Sequence, residues 1–138
     1  MRTILAFDFG FKRLGIAVGQ DLTGTTQPLA TVTVSDQEPD WPRIDRLIEE
    51  WQPQVLLVGL PLNMDGSEQH MTHAARRFAK LLRTRYGLTV ELVDERLTSS
   101  EAQAIVSAQR RDKQLRRRKS KHAIDAIAAE LIIRTWLG

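Results

Sequence analysis

The chain has 138 residues, 42% of them hydrophobic and 27% charged, which is the composition of a globular protein of one-domain size and excludes disordered and fibrous classes. It has no cysteine, so disulfide scaffolds, thiolate zinc sites and cysteine nucleophiles are excluded, and its longest nearly apolar run, Val55 to Leu62, falls far short of the roughly 20 residues of a membrane span. The net charge of +3 is unevenly spread: eight of the twelve residues from Arg110 to Lys121 are Lys or Arg, while the rest of the chain, with 12 basic and 16 acidic residues, is net −4.

The residues after Met1-Arg2 read as a buried central strand, with Ile4 and Ala6 on one face and Leu5 and Phe7 on the other. Asp8 stands where that strand should stop, and it interrupts the apolar stretch before a secretory core could be completed, so a cytoplasmic protein is expected. Gly10 punctuates a tight connection to a second strand, Leu14 to Val18, and Thr23-Gly24-Thr25 leads to a third, Leu29 to Val34. Asp40 can N-cap a helix with Pro42 in its first turn, and Ile44, Leu47, Ile48 and Trp51 form its apolar stripe. Val55 to Val58 is a short fourth strand. Asp65-Gly66-Ser67-Glu68 should open a second helix that buries Met71, Ala74, Ala75, Phe78, Leu81 and Leu82, and Gly87 should end it. Leu88 to Val93 is the fifth strand. Thr98-Ser99-Ser100-Glu101 has a capping-box pattern that starts a third helix at about Ser99. A last helix is expected from Ser120 or Lys121, with Asp125 at the border of its apolar stripe and Glu130 on the solvent side.

This order predicts one α/β domain over 1–138, a five-stranded mixed sheet with strand order 3-2-1-4-5 and helices on both faces, because strand–helix–strand crossovers are right-handed. The C-terminal ends of strands one, four and five then share one edge, where open α/β sheets build their sites. Asp8 and the pair Asp94-Glu95 arrive at that edge, and Asp125 can reach it from the last helix. Adjacent strand residues point to opposite faces, so at most one of Asp94 and Glu95 faces the site. Three carboxylates without a lysine partner repel one another unless cations lie between them. Mg²⁺ or Mn²⁺ suits such an oxygen-only set, and two ions about 3.5–4 Å apart can support phosphodiester hydrolysis.

The motifs carry a resemblance. Asp8-Phe9-Gly10-Phe11-Lys12-Arg13-Leu14-Gly15, Gly59-Leu60-Pro61-Leu62-Asn63-Met64-Asp65-Gly66, Asp94-Glu95-Arg96-Leu97-Thr98-Ser99-Ser100-Glu101-Ala102 and Ile124-Asp125-Ala126-Ile127-Ala128-Ala129 resemble the four motifs of the YqgF/RuvX proteins of the RNase H-like superfamily. The resemblance covers essentially the whole chain. It implies an RNase H-like fold and a metal-dependent nuclease, a hydrolase with Asp8, Glu95 and Asp125 as catalytic metal ligands. It attaches two substrates to the family, precursor 16S ribosomal RNA trimmed at its 5′ end and Holliday junctions; the sequence does not separate them, and the ribosomal RNA role is the one favoured.

Lys12 and Arg13 sit beside Asp8 and are candidates for holding the scissile phosphate. Arg110, Arg111, Lys113, Arg116, Arg117, Arg118 and Lys119 are expected to steer nucleic acid; neutralising about five phosphates would give a salt slope near −4 to −5. The competing reading is a non-catalytic RNA-binding module whose whole function is that basic stretch. His70 and His73, at i and i+3, lack a third ligand for a metal, and His122 shares a helix face with Asp125. The expected partner is nucleic acid rather than a membrane, with the protein acting as a monomer or homodimer.

Overall fold

The computed structural model of the chain describes residues 2–97 and 117–138. The third helix expected from Ser99, and the basic residues Arg110, Arg111, Lys113 and Arg116, lie outside the described residues. Strands β1 (Thr3–Phe9), β2 (Arg13–Gln20) and β3 (Thr25–Ser35) form an antiparallel meander. β4 (Glu38–Pro39) adds a short edge, α1 (Trp41–Trp51) crosses over, and β5 (Val55–Leu60) joins β1 in parallel. Helix α2 (His70–Tyr86) leads to β6 (Thr89–Asp94), which pairs in parallel with β5. A 3-10 turn, Glu95–Leu97, follows, and the described chain ends in α3 (Arg117–Leu137). The sheet order is β4-β3-β2-β1-β5-β6.

That order is the expected one with a sixth strand added at the edge. The extra strand exists because Asp36 and Gln37, with φ of 51° and 64°, make a two-residue turn of the kind that closes tight hairpins. A side chain with φ above zero is uncommon without glycine, so the sequence carried no signal for it.

The sheet is buried on both faces, and the alternation of β1 divides the core. Leu5, Phe7 and Phe9 pack with Leu14, Ile16, Leu56, Val58, Ala75, Phe78 and Leu82 under α1 and α2. Ile4 and Ala6 pack with Ala17, Val55, Leu57, Ala129, Ile132 and Ile133 under α3. Asp8, two residues beyond Ala6, therefore belongs to the α3 face. Asp40 caps α1 by accepting from the Arg43 amide, and Gln52, with φ of 46°, ends it.

The start of α2 is a correction. Ser67 donates both its amide, at 2.9 Å, and its hydroxyl, at 2.5 Å, to Asp65 Oδ1, so Asp65 closes a turn rather than capping the helix. The helix begins at His70, where the Gln69 amide donates to Thr72 Oγ1 at 3.0 Å. The Thr72 hydroxyl, fully buried, donates in turn to the Pro61 carbonyl. Glu130 is a second correction. Its side chain is 14% exposed and accepts from Thr26 Oγ1 at 2.7 Å, because α3 lies across β3 as well as β1 and β2.

On the outer surface Asp45 joins α1 to α2, accepting from Arg85 at 2.7 and 2.8 Å and from the Tyr86 hydroxyl at 2.5 Å. The Arg85 and Tyr86 hydrogen bonds hold the Asp45 carboxyl down to about 2. A depressed carboxyl contributes stability above its unfolded value, near 4, and loses it as pH falls towards 2. With Asp45 41% exposed, screening limits the effect to about 0.5–1 kcal/mol. Urea midpoints should show Asp45→Asn weaker than wild type at pH 7, with the gap closing by about pH 2. A gap that persists unchanged in acid would show that the ion pair is not its source.

Candidate active site

Two strand glycines decide what surrounds Asp8. Asp8 pairs across the ladder with Gly15 of β2. On its other side β5 runs in register from Ile4–Val55 to Phe7–Val58, which brings Gly59 next to Asp8. A methyl group at Gly15 would collide with the backbone carbonyl of Asp125, so the missing side chain is what lets α3 lie directly on β2 there. A methyl group at Gly59 would stand 2.6 Å from the Glu95 carboxyl carbon and 2.7 Å from Ile132 Cδ1. Asp8 is thus flanked by two notches: one takes the start of α3 with Asp125, the other takes Glu95. Isolated glycines inside strands are a known sign of close backbone approach; that signal was available for Gly15, while Gly59 joins a strand only because β5 runs on to Leu60.

Glu95 and Asp94 separate cleanly. Asp94, the last residue of β6, accepts from the Arg96 amide at 2.9 Å and from its guanidinium at 2.7 and 3.0 Å. Arg96 also donates to the Met64 carbonyl at 3.3 Å, tying the turn to the loop after β5. These Arg96 bonds hold the Asp94 carboxyl below its usual range. Glu95 turns the other way and shares a hydrogen bond with Asp8. Burial, and then the Asp8 charge, push the Glu95 carboxyl well above the ordinary range. Asp8 is raised too, first by burial and also by the charge of Asp125, while the bond from Glu95 acts against the rise. Both carboxyls are raised, so the pair holds a proton between them, as for any two carboxyls forced together.

Asp125 is 19% exposed, and its Oδ2 accepts from Arg13 Nε at 2.8 Å. Among the described residues no three His, Cys, Asp or Glu side chains stand together in a metal-holding group. Asp8 and Glu95 touch, whereas Asp125 bears on Asp8 by its charge and is bonded to Arg13. Lys12 is exposed in the turn before Arg13. Arg117, Arg118 and Lys119 lie in the first turn of α3, so the described part of the basic stretch leads into the helix that carries Asp125. His70 and His73 are exposed on α2, and His70 lies against the Phe11 ring.

Residues 2–138 match the RuvX family, described as Holliday junction resolvase. The chain belongs to the RuvX family. Its class is that of a nuclease, a hydrolase that acts on nucleic acid. Curated relatives point the same way. A protein of Marinobacter nauticus, provisionally named a pre-16S rRNA nuclease, is 50% identical over 135 residues, covering 98% of this chain and 92% of the relative. One of Aeromonas hydrophila with the same name is 46% identical over 136 residues, covering 99% and 94%. Among solved structures, the T. thermophilus RuvC complex with a Holliday junction substrate aligns with a TM-score of 0.52 at 19% identity, over 96% of this chain and 92% of that one. At that identity the likeness concerns the fold, and the fold is the RNase H-like one expected for RuvX proteins. No helix among the described residues is long and apolar enough to cross a membrane.

Proposed function

We propose that this RuvX-family chain acts as one domain in the cytoplasm, and that it is a metal-dependent nuclease that matures the 5′ end of precursor 16S ribosomal RNA. The observation that carries the catalytic part is the hydrogen-bonded pair Asp8–Glu95, set between two glycine notches with Asp125 delivered beside it. Buried carboxyls that repel one another form a poor structural element and a good cation site. The donor set is oxygen-only, which fits a hard divalent cation such as Mg²⁺ or Mn²⁺. Asp8, Glu95 and Asp125 would hold it, one or two ions in number, and when bound it supplies an activated water and neutralises the charge that builds on the phosphate.

The residues of the chain have separate tasks in this reading. Arg13 orients the Asp125 carboxylate through its Nε and fixes it at the β2 edge of the site. Lys12, exposed one residue earlier, is placed to meet a phosphate of the substrate. The basic residues Arg110, Arg111, Lys113 and Arg116 to Lys119 attract the polyanion over a longer range. Arg96, clamped on Asp94 and the Met64 carbonyl, holds the turn that aims Glu95. The ribosomal substrate rests on the names of the curated relatives. Holliday-junction cleavage is the second reading, and the family description favours it.

The test is cleavage of an end-labelled pre-16S RNA fragment and of a four-way DNA junction with Mg²⁺, Mn²⁺ or EDTA. Asp8→Asn and Asp125→Asn, each shown to be folded by circular dichroism, should lose at least about 10³-fold in rate while keeping nucleic-acid affinity. Cutting of the junction alone would move the substrate to branched DNA. Binding without metal-dependent cutting of either, unchanged in both variants, would leave the RNA-binding module as the better account.

A further inference from the structure

Three large apolar side chains are conspicuously exposed among the described residues: Phe11 at 43%, Leu22 at 77% and Met64 at 83%. Phe11 and Met64 lie in the loops that follow β1 and β5, at the edge that carries the carboxylates. Phe11 is three residues from Asp8. Its ring meets the exposed ring of His70, with centroids 5.5 Å apart and planes inclined by 34°. Both rings stand on anchored backbone. The Phe11 turn is closed by the Gly10 amide bonding the Arg13 carbonyl at 2.9 Å, and pinned to β3 by the Val34 amide on the Lys12 carbonyl at 2.9 Å. His70 opens α2, whose start is fixed by the Gln69, Thr72 and Pro61 bonds. The result is a held aromatic surface open to solvent, with Lys12 next to Phe11 in the chain and Asp8 three residues before it. An aromatic face offers stacking to any base, and a neighbouring cation binds the phosphate attached to that base. A base paired inside a duplex presents no free face.

We propose that Phe11 and His70 form a stacking platform for one unpaired nucleobase next to the scissile phosphate, which makes single-stranded or locally unpaired nucleic acid the substrate class. This rests on the nuclease reading for the word scissile, but the platform can be measured without cleavage. The probe is a short single-stranded RNA carrying one 2-aminopurine, bound in EDTA and followed by fluorescence, with a fully paired duplex of the same sequence as reference.

Wild-type protein should quench the 2-aminopurine on binding. Phe11→Ala should lose the quenching and bind the single strand about 5–150-fold more weakly, the range for one lost base–aromatic stack, with duplex affinity unchanged. Phe11→Trp should restore both signals. Phe11→Leu keeps apolar bulk without a planar face and should behave as Phe11→Ala does. Full binding and quenching in Phe11→Leu, or an equal loss of duplex affinity in Phe11→Ala, would overturn the platform. Metal-dependent cleavage by wild type without quenching sinks the platform alone. Quenching by wild type with no metal-dependent cleavage sinks the nuclease reading and leaves the platform standing.

Discussion

Gly15→Ala should cost this chain both stability and cleavage, although the change adds one methyl group. The new carbon meets the carbonyl of Asp125, which is backbone and cannot swing aside. Helix α3 must then lift from β2, its most extensive partner, and Asp125 lifts with it. Overpacking of this kind destabilises by about 1–3 kcal/mol, and a catalytic group misplaced by about 1 Å can cost about 10²-fold in rate. Gly59→Ala makes an informative contrast, since its methyl meets side-chain ends, the Glu95 carboxyl and Ile132 Cδ1, rather than backbone. It should lower the unfolding midpoint less than Gly15→Ala does while still reducing cleavage. Urea denaturation and single-turnover cleavage of the two variants separate the cases. A Gly15→Ala protein that cleaves at the wild-type rate would show that close approach of α3 is not what places Asp125.

Glu95→Gln should make the metal-free protein more stable as it abolishes activity. The folded Asp8–Glu95 pair keeps a proton that the unfolded chain gives up above about pH 4.5. The folded state therefore binds more protons, and its stability falls as pH rises from that value towards the raised one. Glutamine needs no proton to donate to Asp8, so the variant should lack this slope. In EDTA the wild type and variant should match near pH 4 and diverge upward, by about 1–3 kcal/mol at pH 7. Adding Mn²⁺ should then raise the melting temperature of wild type and leave Glu95→Gln little changed. Parallel stability curves across pH 4–8 would show that Glu95 carries no burden in the folded protein.

The sheet order was legible because the crossover rule leaves few ways to connect three short-linked strands to two helix-linked ones. The meeting of Asp8 and Glu95 at one sheet edge followed from it, whereas Asp125 comes on α3 and is bonded to Arg13. The choice of Glu95 over Asp94 did not follow from strand alternation alone; it depends on Arg96, whose guanidinium captures the neighbouring acid. The α2 start was misread because Asp65 has two possible uses, and the Ser67 hydroxyl and amide decide for the turn. Glu130 was misplaced because helix periodicity tells which residues share a face but not how many strands the helix crosses. Gly15 lay inside a predicted strand and Gly59 one residue past another, yet what fills each notch comes from residues 110 and 36 positions away, in Asp125 and Glu95. A single sequence does not encode such distant pairings in any local pattern.

The last of the three carboxylates to be synthesised is Asp125, and it arrives with the same helix that covers Ile4, Ala6, Ala17 and Leu57. Before α3 docks, that sheet face is bare and Asp8 and Glu95 lack Asp125 beside them. Covering that face and bringing Asp125 to Asp8 are therefore one docking event, so a change that loosens α3 exposes apolar sheet and opens the site together.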